Sequence, residues 1–248
     1  MSEATEIITQ YQGNVLEIIL NRPHKRHALT RSMLQAIIDV IQSVQDQSTT
    51  SGIVIKSTGP IFCAGADLVE MQTHSNEMIA LLVQLIEVFS NNTKPLLVVL
   101  EGDVYAGALI FLNYAHVVYA LDHVKVCLPE VNKGLMPYLV MAELRSQISL
   151  KKMYHMVLMG EAVSVQSAEI QGLISKIFSS QQDCHQAQKK WSKQVKHHCQ
   201  NISDFIQLVS TLKTPSDASI QRCANALKMN LTSECTQNQL KKFKRIDE

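Results

Sequence analysis

The amino-acid sequence predicts an α/β fold that ends in a helical region. Over roughly its first half, apolar segments of strand length alternate with segments in which apolar residues recur at the helical period. From Ser149 onward the pattern is almost entirely helical, with breaks at Gly160, Gly172 and Thr214-Pro215. Strands that alternate with helices favour a sheet covered by helices. The chain has 248 residues, 46% of them hydrophobic, which is enough to bury a substantial core.

The N-terminal elements follow from apolar spacing and turn residues. Ile7–Tyr11 and Val15–Leu20 predict two strands joined by a turn at Gly13. Thr30 can cap a helix whose apolar positions follow the helical period. Gly52–Ser57 is short and largely apolar, which predicts a buried strand.

The next elements continue the alternation. A second helix is predicted over about Asn76–Ser90, and Gly102–Leu112 leads into another helix. Further short strands are predicted at Leu96–Leu100, Val117–Tyr119 and Val124–Cys127.

Charge and composition disfavour several classes of protein. The formal net charge is +1, whereas a nucleic-acid or membrane-surface protein usually carries a basic excess, so neither partner is predicted. No apolar run reaches the length of a membrane span, and the first residues lack the apolar segment of a signal peptide. The six cysteines form no CxxC pair, which predicts reduced thiols in a cytoplasmic protein. Cys184-His185 and His197–Cys199 have no second pair at a matching spacing, so no metal site is predicted.

Three segments carry the residues that predict a chemical function. Phe62–Leu68 and Gly102–Ala108 are turns of small residues that follow strands and lead into helices, and Leu128–Glu130 ends in a carboxylate. Small side chains let a ligand approach the backbone, and N–H groups at a helix N-terminus point outward. Two such turns could direct two N–H groups at one oxygen, as a thioester carbonyl requires when it becomes an enolate. Either turn alone is better explained by tight helix–strand packing, but the pair together with Glu130 favours function.

The same segments resemble the enoyl-CoA hydratase/isomerase, or crotonase, superfamily. The resemblance extends over roughly residues 5–180 and includes Asn21–Leu29, Phe62–Leu68, Gly102–Ala108, Pro129-Glu130 and Ser164–Ile174. It implies a crotonase-like spiral of ββα repeats, assembled as a homotrimer or a dimer of trimers. We therefore expect a spiral core over residues 1–190, and a helical region over residues 191–248 that supports trimerisation and covers the pocket.

The resemblance also implies a site. The N–H groups of Ala66 and Gly107 would form an oxyanion hole, and Glu130 would be the catalytic carboxylate. The Asn21–Leu29 loop and the Ala64 backbone would hold the adenine end of coenzyme A. Coenzyme A or phosphopantetheine would enter as part of the substrate, and no separate cofactor is expected. The residues expected to bind substrate are Lys25, Arg26, His27, Ala28, Ala64, Asp67, Tyr105, Ile110 and Tyr138.

Several of these residues have a simpler alternative role. Lys25 and Arg26 could reach a ligand phosphate or could be solvated loop charges. Asp67 is better explained as a charge partner of a helix N-terminus. Tyr105 and Tyr138, like His116, could be auxiliary donors or could fill volume. Cys63 could be a nucleophile, but no base lies near it in sequence.

The most informative departure from the family is Ile110. Family hydratases use two glutamates to place a water and move its proton, and the earlier glutamate corresponds to Ile110 here. A two-carboxylate hydration mechanism is therefore not expected in its usual form. One carboxylate can still move a proton at C2 of a thioester, as in the family's double-bond isomerases, or can support loss of a 3-hydroxyl group.

A finer resemblance favours one reaction. Gly102–Phe111, Leu128–Pro137 and His155–Met159 are similar to the hydratase-like dehydratases of polyketide β-branching pathways, which also lack the earlier glutamate. The leading prediction is dehydration of a 3-hydroxyacyl thioester carried on coenzyme A or an acyl carrier protein. The alternatives are an enoyl-CoA isomerase and a catalytically silent homologue that binds an acyl carrier. RNA binding, known in one branch of the superfamily, is disfavoured by the near-neutral charge.

Overall fold

The computed structural model describes residues 5–144, 147–169, 172–211, 217–232, 237–238 and 241. Its strands are β1 (Ile7–Gln12), β2 (Val15–Leu20), β3 (Gly52–Ser57), β4 (Ile61–Cys63), β5 (Leu96–Leu100), β6 (Asp103–Tyr105), β7 (Val117–Leu121), β8 (Lys125–Cys127), β9 (Val163–Ser164) and β10 (Lys176–Phe178). Its helices are α1 (Arg31–Val44), α2 (Leu68–Thr73), α3 (Ser75–Ser90), α4 (Leu109–Tyr114), α5 (Tyr138–Leu144), α6 (Leu150–Met159), α7 (Val165–Glu169), α8 (Gln181–Thr211) and α9 (Asp217–Thr232). Short 3₁₀ turns lie at Pro23–Lys25, Ala106–Ala108 and Pro129–Lys133. Over these described ranges, every helix is too short or too polar to cross a lipid bilayer.

The strands form two sheets. Within the described residues, the larger sheet has the order β1-β2-β3-β5-β7-β10, and its β1–β2 pair is antiparallel while the other pairs are parallel. The smaller sheet has the order β4-β6-β8-β9, with β4, β6 and β8 parallel and β9 antiparallel.

The chain visits the two sheets alternately. β3 joins the larger sheet and β4 the smaller one before α2 and α3, and β5, β6 and α4 repeat this order. β7, β8 and α5 form a third repeat. The predicted α/β fold, a spiral of ββα repeats, is confirmed by this arrangement.

The first helix forms as its sequence predicts. The Thr30 Oγ accepts a hydrogen bond from Met33 N at 3.1 Å and so satisfies one of the N–H groups that a helix N-terminus leaves open. The apolar face of α1 is buried through Met33, Leu34, Ile37, Ile38, Ile41 and Val44.

An aromatic cluster fixes the start of α4 against the smaller sheet. Phe111 of α4 packs edge-to-face on Phe62 of β4 and Phe89 of α3, with ring centroids 5.8 and 5.7 Å apart. Phe62 and Phe111 are fully buried. Such pairs add about 0.5–1.5 kcal/mol each beyond the burial of apolar area. They therefore help to hold α4 against β4 and α3.

Helix α8 crosses the boundary predicted between residues 190 and 191. Trp191 and Val195 are buried in the core, and Gln188 Nε2 donates a hydrogen bond to the buried Glu17 carboxylate of β2 at 2.8 Å. The predicted C-terminal region therefore begins inside a helix that packs against the larger sheet.

The segment after Ser149 is mainly helical, as predicted, but it also contains two short strands that the sequence pattern missed. β9 pairs with β8, and β10 forms the edge of the larger sheet beside β7. Strands of two and three residues are too short to show an alternating pattern, so only their distant partners define them. The predicted breaks at Gly160 and Gly172 have left-handed φ values of +60° and +86°, whereas Thr214-Pro215 lies outside the described residues.

Candidate active site

The smaller sheet brings the three predicted segments together. β4 pairs in parallel with β6, and β6 pairs in parallel with β8. The segments after these strands therefore emerge at the same edge of the sheet. They are 64–67, 106–108 and 129–133, and members of all three line one cavity.

Gly65 permits the close approach of the first two turns. Its φ is +87°, in the region that favours glycine. A Cβ on Gly65 would lie 2.7 Å from the Ala106 Cβ and 3.1 Å from the Gly107 nitrogen, and the first of these distances would force something to shift. Glycine therefore lets the backbone after β4 pack against the start of α4.

The backbone N–H groups of Ala66 and Gly107 can both serve this cavity. Leu29 N donates to Gly65 O at 2.8 Å and Asp67 N donates to Leu29 O at 2.9 Å, so the Ala66 N–H lies on the side away from Leu29. Gly107 lies in the first turn of a helical segment, where N–H groups have no intrahelical acceptor. A Cβ on Gly107 would lie 3.9 Å from the Ala66 nitrogen. Two N–H donors on adjacent turns are what a developing oxyanion requires.

Backbone strain is concentrated around the same cavity. Within the described ranges, the non-glycine residues in the left-handed region are Arg26, His27 and Ala106, with φ values of 52°, 53° and 53°. Ala106 lines the cavity, and Arg26 O accepts a hydrogen bond from the cavity residue Ala64 at 3.0 Å. Each such conformation costs on the order of 1–3 kcal/mol, and this kind of strain is typical of functional sites.

Glu130 presents a buried carboxylate oxygen to the cavity. Its Oε2 is inaccessible to solvent and has no hydrogen-bond partner among the described residues. Burial raises the pKa of Glu130 to about 7, against the opposing effects of its own backbone N–H and of Lys133. A buried polar atom without a partner destabilises a fold, so its presence indicates a group kept for a ligand.

The rest of the cavity is mainly apolar. Ile110 is buried on α4 and lines it, so the position that carries a second glutamate in family hydratases is occupied by a hydrocarbon side chain. Leu227 of α9 contributes a wall from the C-terminal region. The remaining lining residues are Ala64, Ala66, Leu68, Met71, Leu82, Ala106, Gly107, Pro129, Glu130, Lys133, Leu135, Met136, Pro137, Tyr138, Leu139 and Val140.

The loop that precedes α1 is held by its own histidine. His27 is buried, its Nδ1 accepts a hydrogen bond from Arg22 N at 2.9 Å, and its Nε2 contacts the Thr58 carbonyl oxygen. Burial lowers the pKa of His27, which favours a neutral imidazole. The hydrogen bonds of His27 therefore fix the shape of the loop. Lys25 and Arg26 are exposed on the same loop and are accessible to a ligand.

Asp67 and Ala28 also have structural partners. The Asp67 carboxylate accepts hydrogen bonds from Val69 N and Glu70 N at 3.0 and 3.3 Å and forms an ion pair with Arg22 at 2.8 Å. The Ala28 carbonyl accepts a hydrogen bond from the same arginine at 3.1 Å. These contacts cap α2 and tie it to the loop, as the simpler interpretation of Asp67 predicts.

The auxiliary candidates differ in position. Tyr138 lines the cavity, whereas the Tyr105 hydroxyl donates to the Asp103 carboxylate at 2.9 Å. Burial raises the pKa of Tyr105 to about 12, and Asp103 adds to this effect. His116 accepts a hydrogen bond from Leu96 N at 2.9 Å and is outside the cavity lining. Burial raises the pKa of Cys63 to about 12, which disfavours the thiolate that a nucleophile needs.

Sequence reasoning missed Lys133. It lines the cavity three residues after Glu130, in the same 3₁₀ turn. The spacing of three was a usable signal, because residues i and i+3 eclipse one another in a 3₁₀ helix.

Comparison with known proteins identifies a family that fits the fold, and the match includes the three segments that line the cavity. The family model described as "Enoyl-CoA hydratase/isomerase" matches residues 10–245. The chain belongs to the enoyl-CoA hydratase/isomerase family. The predicted membership of the crotonase superfamily is thereby confirmed.

The individual relatives share less than a third of their aligned residues with this chain. A 2,3-dehydroadipyl-CoA hydratase from Escherichia coli is 29% identical over 199 residues, which cover 78% of this chain and 77% of that protein. The mitochondrial enoyl-CoA hydratase domain-containing protein 3 from Danio rerio is 28% identical over 70% of this chain, but the match spans only 62% of that relative. A crystal structure from Bacillus subtilis, described as a polyketide biosynthesis enoyl-CoA hydratase, superposes with a TM-score of 0.82. It shares 21% identity and 96% coverage of both chains, so it supports the fold alone.

Proposed function

We propose that this protein eliminates water from a 3-hydroxyacyl thioester. The Ala66 and Gly107 N–H groups would bind the thioester carbonyl oxygen, and Glu130 would remove the proton at C2. The resulting enolate would then expel the 3-hydroxyl group. The observation that carries this proposal is the Glu130 Oε2, buried and without a hydrogen-bond partner among the described residues in a cavity that both turns line.

The carboxylate and the two N–H groups have complementary tasks. A base works best when its pKa lies near the working pH, and burial raises the pKa of Glu130 to about 7. The N–H donors stabilise the negative charge that appears on the carbonyl oxygen as the proton leaves. Loss of one such donor typically costs about 10²–10³ in rate in other enzymes.

Ile110 favours elimination or isomerisation over hydration. Addition of water needs a group that holds and deprotonates the water beside the double bond. The Ile110 side chain has no lone pair or exchangeable proton and offers a water no hydrogen bond. Formation of the enolate needs only Glu130 and the two N–H groups.

The exposed loop cations support a thioester with an anionic carrier. Lys25 and Arg26 are exposed. Their loop lies beside the cavity, since the cavity residue Ala64 donates its backbone N–H to Arg26 O. We propose that they contact phosphate groups of coenzyme A or of the phosphopantetheine arm of an acyl carrier protein. The E. coli relative is named for a coenzyme A thioester, which supports this substrate class. The proposed reaction requires no cofactor apart from the thioester itself.

The test compares proton exchange at C2 with hydration. We expect wild type to exchange the C2 proton of butanoyl-CoA in deuterated water, to dehydrate 3-hydroxybutanoyl-CoA and to hydrate crotonyl-CoA very poorly. Glu130→Gln should lower exchange and dehydration by about 10²–10⁴, since the amide keeps the shape but cannot accept the proton. Ile110→Glu should increase hydration. Rapid hydration by wild type would contradict the single-carboxylate mechanism.

An enoyl-CoA isomerase is the second candidate, and the single carboxylate favours it too. A 3-enoyl-CoA in the same panel distinguishes the two, because an isomerase would return its C2 proton to C4. A silent acyl-carrier-binding homologue would bind the thioesters and exchange no proton.

We also propose that the protein is a cytoplasmic homotrimer or dimer of trimers. Cys63, Cys127 and Cys184 are buried free thiols, which is compatible with a reducing compartment. Helix α6 carries exposed apolar side chains that a second copy could cover.

A further inference from the structure

Lys133 and Glu130 lie on one face of the turn after β8. Both belong to the 3₁₀ turn Pro129–Lys133, in which residues three apart eclipse one another. Both residues line the cavity, where the other lining residues are mainly apolar. The pair thus places one carboxylate and one amine beside the position where a bound acyl group would lie.

The charges around Lys133 adjust its acidity. Burial lowers the pKa of Lys133, the negative charge of Glu130 opposes this effect, and the positive charge of Arg26 adds to it. Burial also raises the pKa of Glu130. Both pKa values therefore move toward neutrality, which makes it easier for Glu130 to take up a proton and for Lys133 to give one away.

We propose that Lys133 is the general acid that protonates the departing 3-hydroxyl group, an inference that rests on the proposed dehydration. Glu130 takes the proton from C2, and the electron pair of that C–H bond forms the C2=C3 double bond. The C3–O bond breaks, and its oxygen receives a proton from the Lys133 ammonium, so that water leaves. The cycle ends when the Glu130 carboxylic acid releases its proton to solvent and the neutral Lys133 amine takes one up.

The need for such an acid follows from the leaving group and from Ile110. Hydroxide is a poor leaving group, so loss of the 3-hydroxyl requires a proton. Glu130 is occupied with the C2 proton, and Ile110 has none to give. Among the cavity-lining residues, Lys133 is the cationic one, and a Lys–Glu pair on one face suits elimination of both groups from the same side of the substrate.

The experiment varies the leaving group. Wild type, Lys133→Met and Lys133→Arg are assayed for elimination from 3-hydroxybutanoyl-CoA and from 3-chlorobutanoyl-CoA, and for C2 exchange of butanoyl-CoA. Chloride leaves without a proton, so only the hydroxyl substrate needs the acid. We expect Lys133→Met to lose about 10²–10⁴ in dehydration while chloride elimination and exchange stay within a few-fold. Lys133→Arg keeps the charge but holds its proton too tightly to donate it, so it should resemble Lys133→Met.

A matched control removes a cation from β8, the strand that precedes the turn. Lys125 is exposed on β8 and absent from the cavity lining, so Lys125→Met should leave all three rates unchanged. Equal losses on both leaving groups, a pure rise in KM, or rescue of dehydration by arginine would assign Lys133 to binding or positioning and would overturn the inference. Wild-type dehydration retained in Lys133→Met would also overturn it. If wild type catalyses neither exchange nor elimination, the proposed function itself fails, and Glu130→Gln will then match wild type.

Discussion

At the scale of single residues, Glu130 links the stability of the protein to pH. Its carboxyl group ionises at about pH 7 in the native protein, because burial disfavours the charged form, and near its ordinary value of 4.5 in the unfolded chain. Between these pH values the native state holds a proton that the unfolded state has released. Stability contributed by this group is therefore present below about pH 4.5 and is lost as the pH rises through about 7.

Glu130→Gln should remove this dependence. We expect the variant to be as stable as wild type at pH 4 and more stable at pH 8, by up to roughly 3 kcal/mol, since glutamine buries no charge. Urea denaturation at both pH values measures the difference. Glu87→Gln, at an exposed position of α3, is the control and should change neither value. A variant less stable than wild type at pH 8 would contradict the buried-charge argument. The activity of wild type should change with pH in the opposite direction to its stability. Its kcat/KM should rise with pH, because Glu130 must lose its proton to act as a base.

The sequence predicted these residues unequally well. Ala66, Gly107 and Glu130 follow short strands in segments that match a family, so their places could be predicted. His27 and Asp67 lie in the same segments, but their side chains form hydrogen bonds that shape the loop and cap α2. The cap formed by Asp67 is local and was predicted, whereas the contacts of His27 with Thr58 and of Asp67 with Arg22 join residues 31 and 45 positions apart and leave no local pattern.

At the scale of elements, the contact between the turn after β4 and the start of α4 is the feature on which the site depends. Gly65→Ala would place a Cβ 2.7 Å from the Ala106 Cβ and add left-handed strain. We expect it to move the Gly107 N–H, to lower kcat more than it raises KM, and to destabilise the fold by more than 1 kcal/mol, the order of cost of the strain alone.

Gly13→Ala separates strain from contact. Gly13 has φ +62° in the β1–β2 turn, and a Cβ there would meet no atom within 4 Å. Gly13→Ala should lower the free energy of unfolding by on the order of 1 kcal/mol and leave activity unchanged. Thermal unfolding and steady-state kinetics of both variants provide the comparison. Equal effects of the two substitutions on kcat would show that the Gly65 contact is not needed.

The elements themselves show where local pattern suffices. Strands β2, β3 and β5 have the bounds that the sequence predicts, and α1 has the predicted cap and buried apolar positions, because each element has five or more residues and a clear apolar pattern. β9 and β10 have two and three residues, and they exist because β8 and β7 offer unpaired edges to them. Long-range pairing of this kind cannot be read from a short segment.

At the scale of the whole molecule, the spiral explains why the site lies at one end of the smaller sheet. Each repeat returns a strand to that sheet in parallel, so the segments after β4, β6 and β8 converge without any direct sequence signal between them. The C-terminal region contributes Leu227 to the cavity lining, and its pocket-covering role stays a prediction. Its predicted role in trimerisation requires a surface that other copies can cover.

Helix α6 offers such a surface, but it lies at Leu150–Met159, outside the region over residues 191–248 to which trimerisation was assigned. Leu150, Tyr154 and Leu158 recur every four residues along one face and are 46%, 57% and 78% exposed, while Met153 and Met156 on the other face are buried. An apolar stripe of this regularity on a helix indicates an interface between proteins.

Leu158→Lys should therefore weaken self-association. A charge at the most exposed position of the stripe would have to be buried or paired in the interface, which disfavours assembly far more than it affects the fold of a single copy. Light scattering at micromolar concentration should give a trimer or hexamer for wild type and a smaller species for the variant, with unchanged circular dichroism. Gln42→Lys adds the same charge to an exposed position of α1 and should leave the assembly intact. A monomeric wild type would contradict the assembly itself, and a Leu158→Lys trimer would place its interface on another face of the molecule.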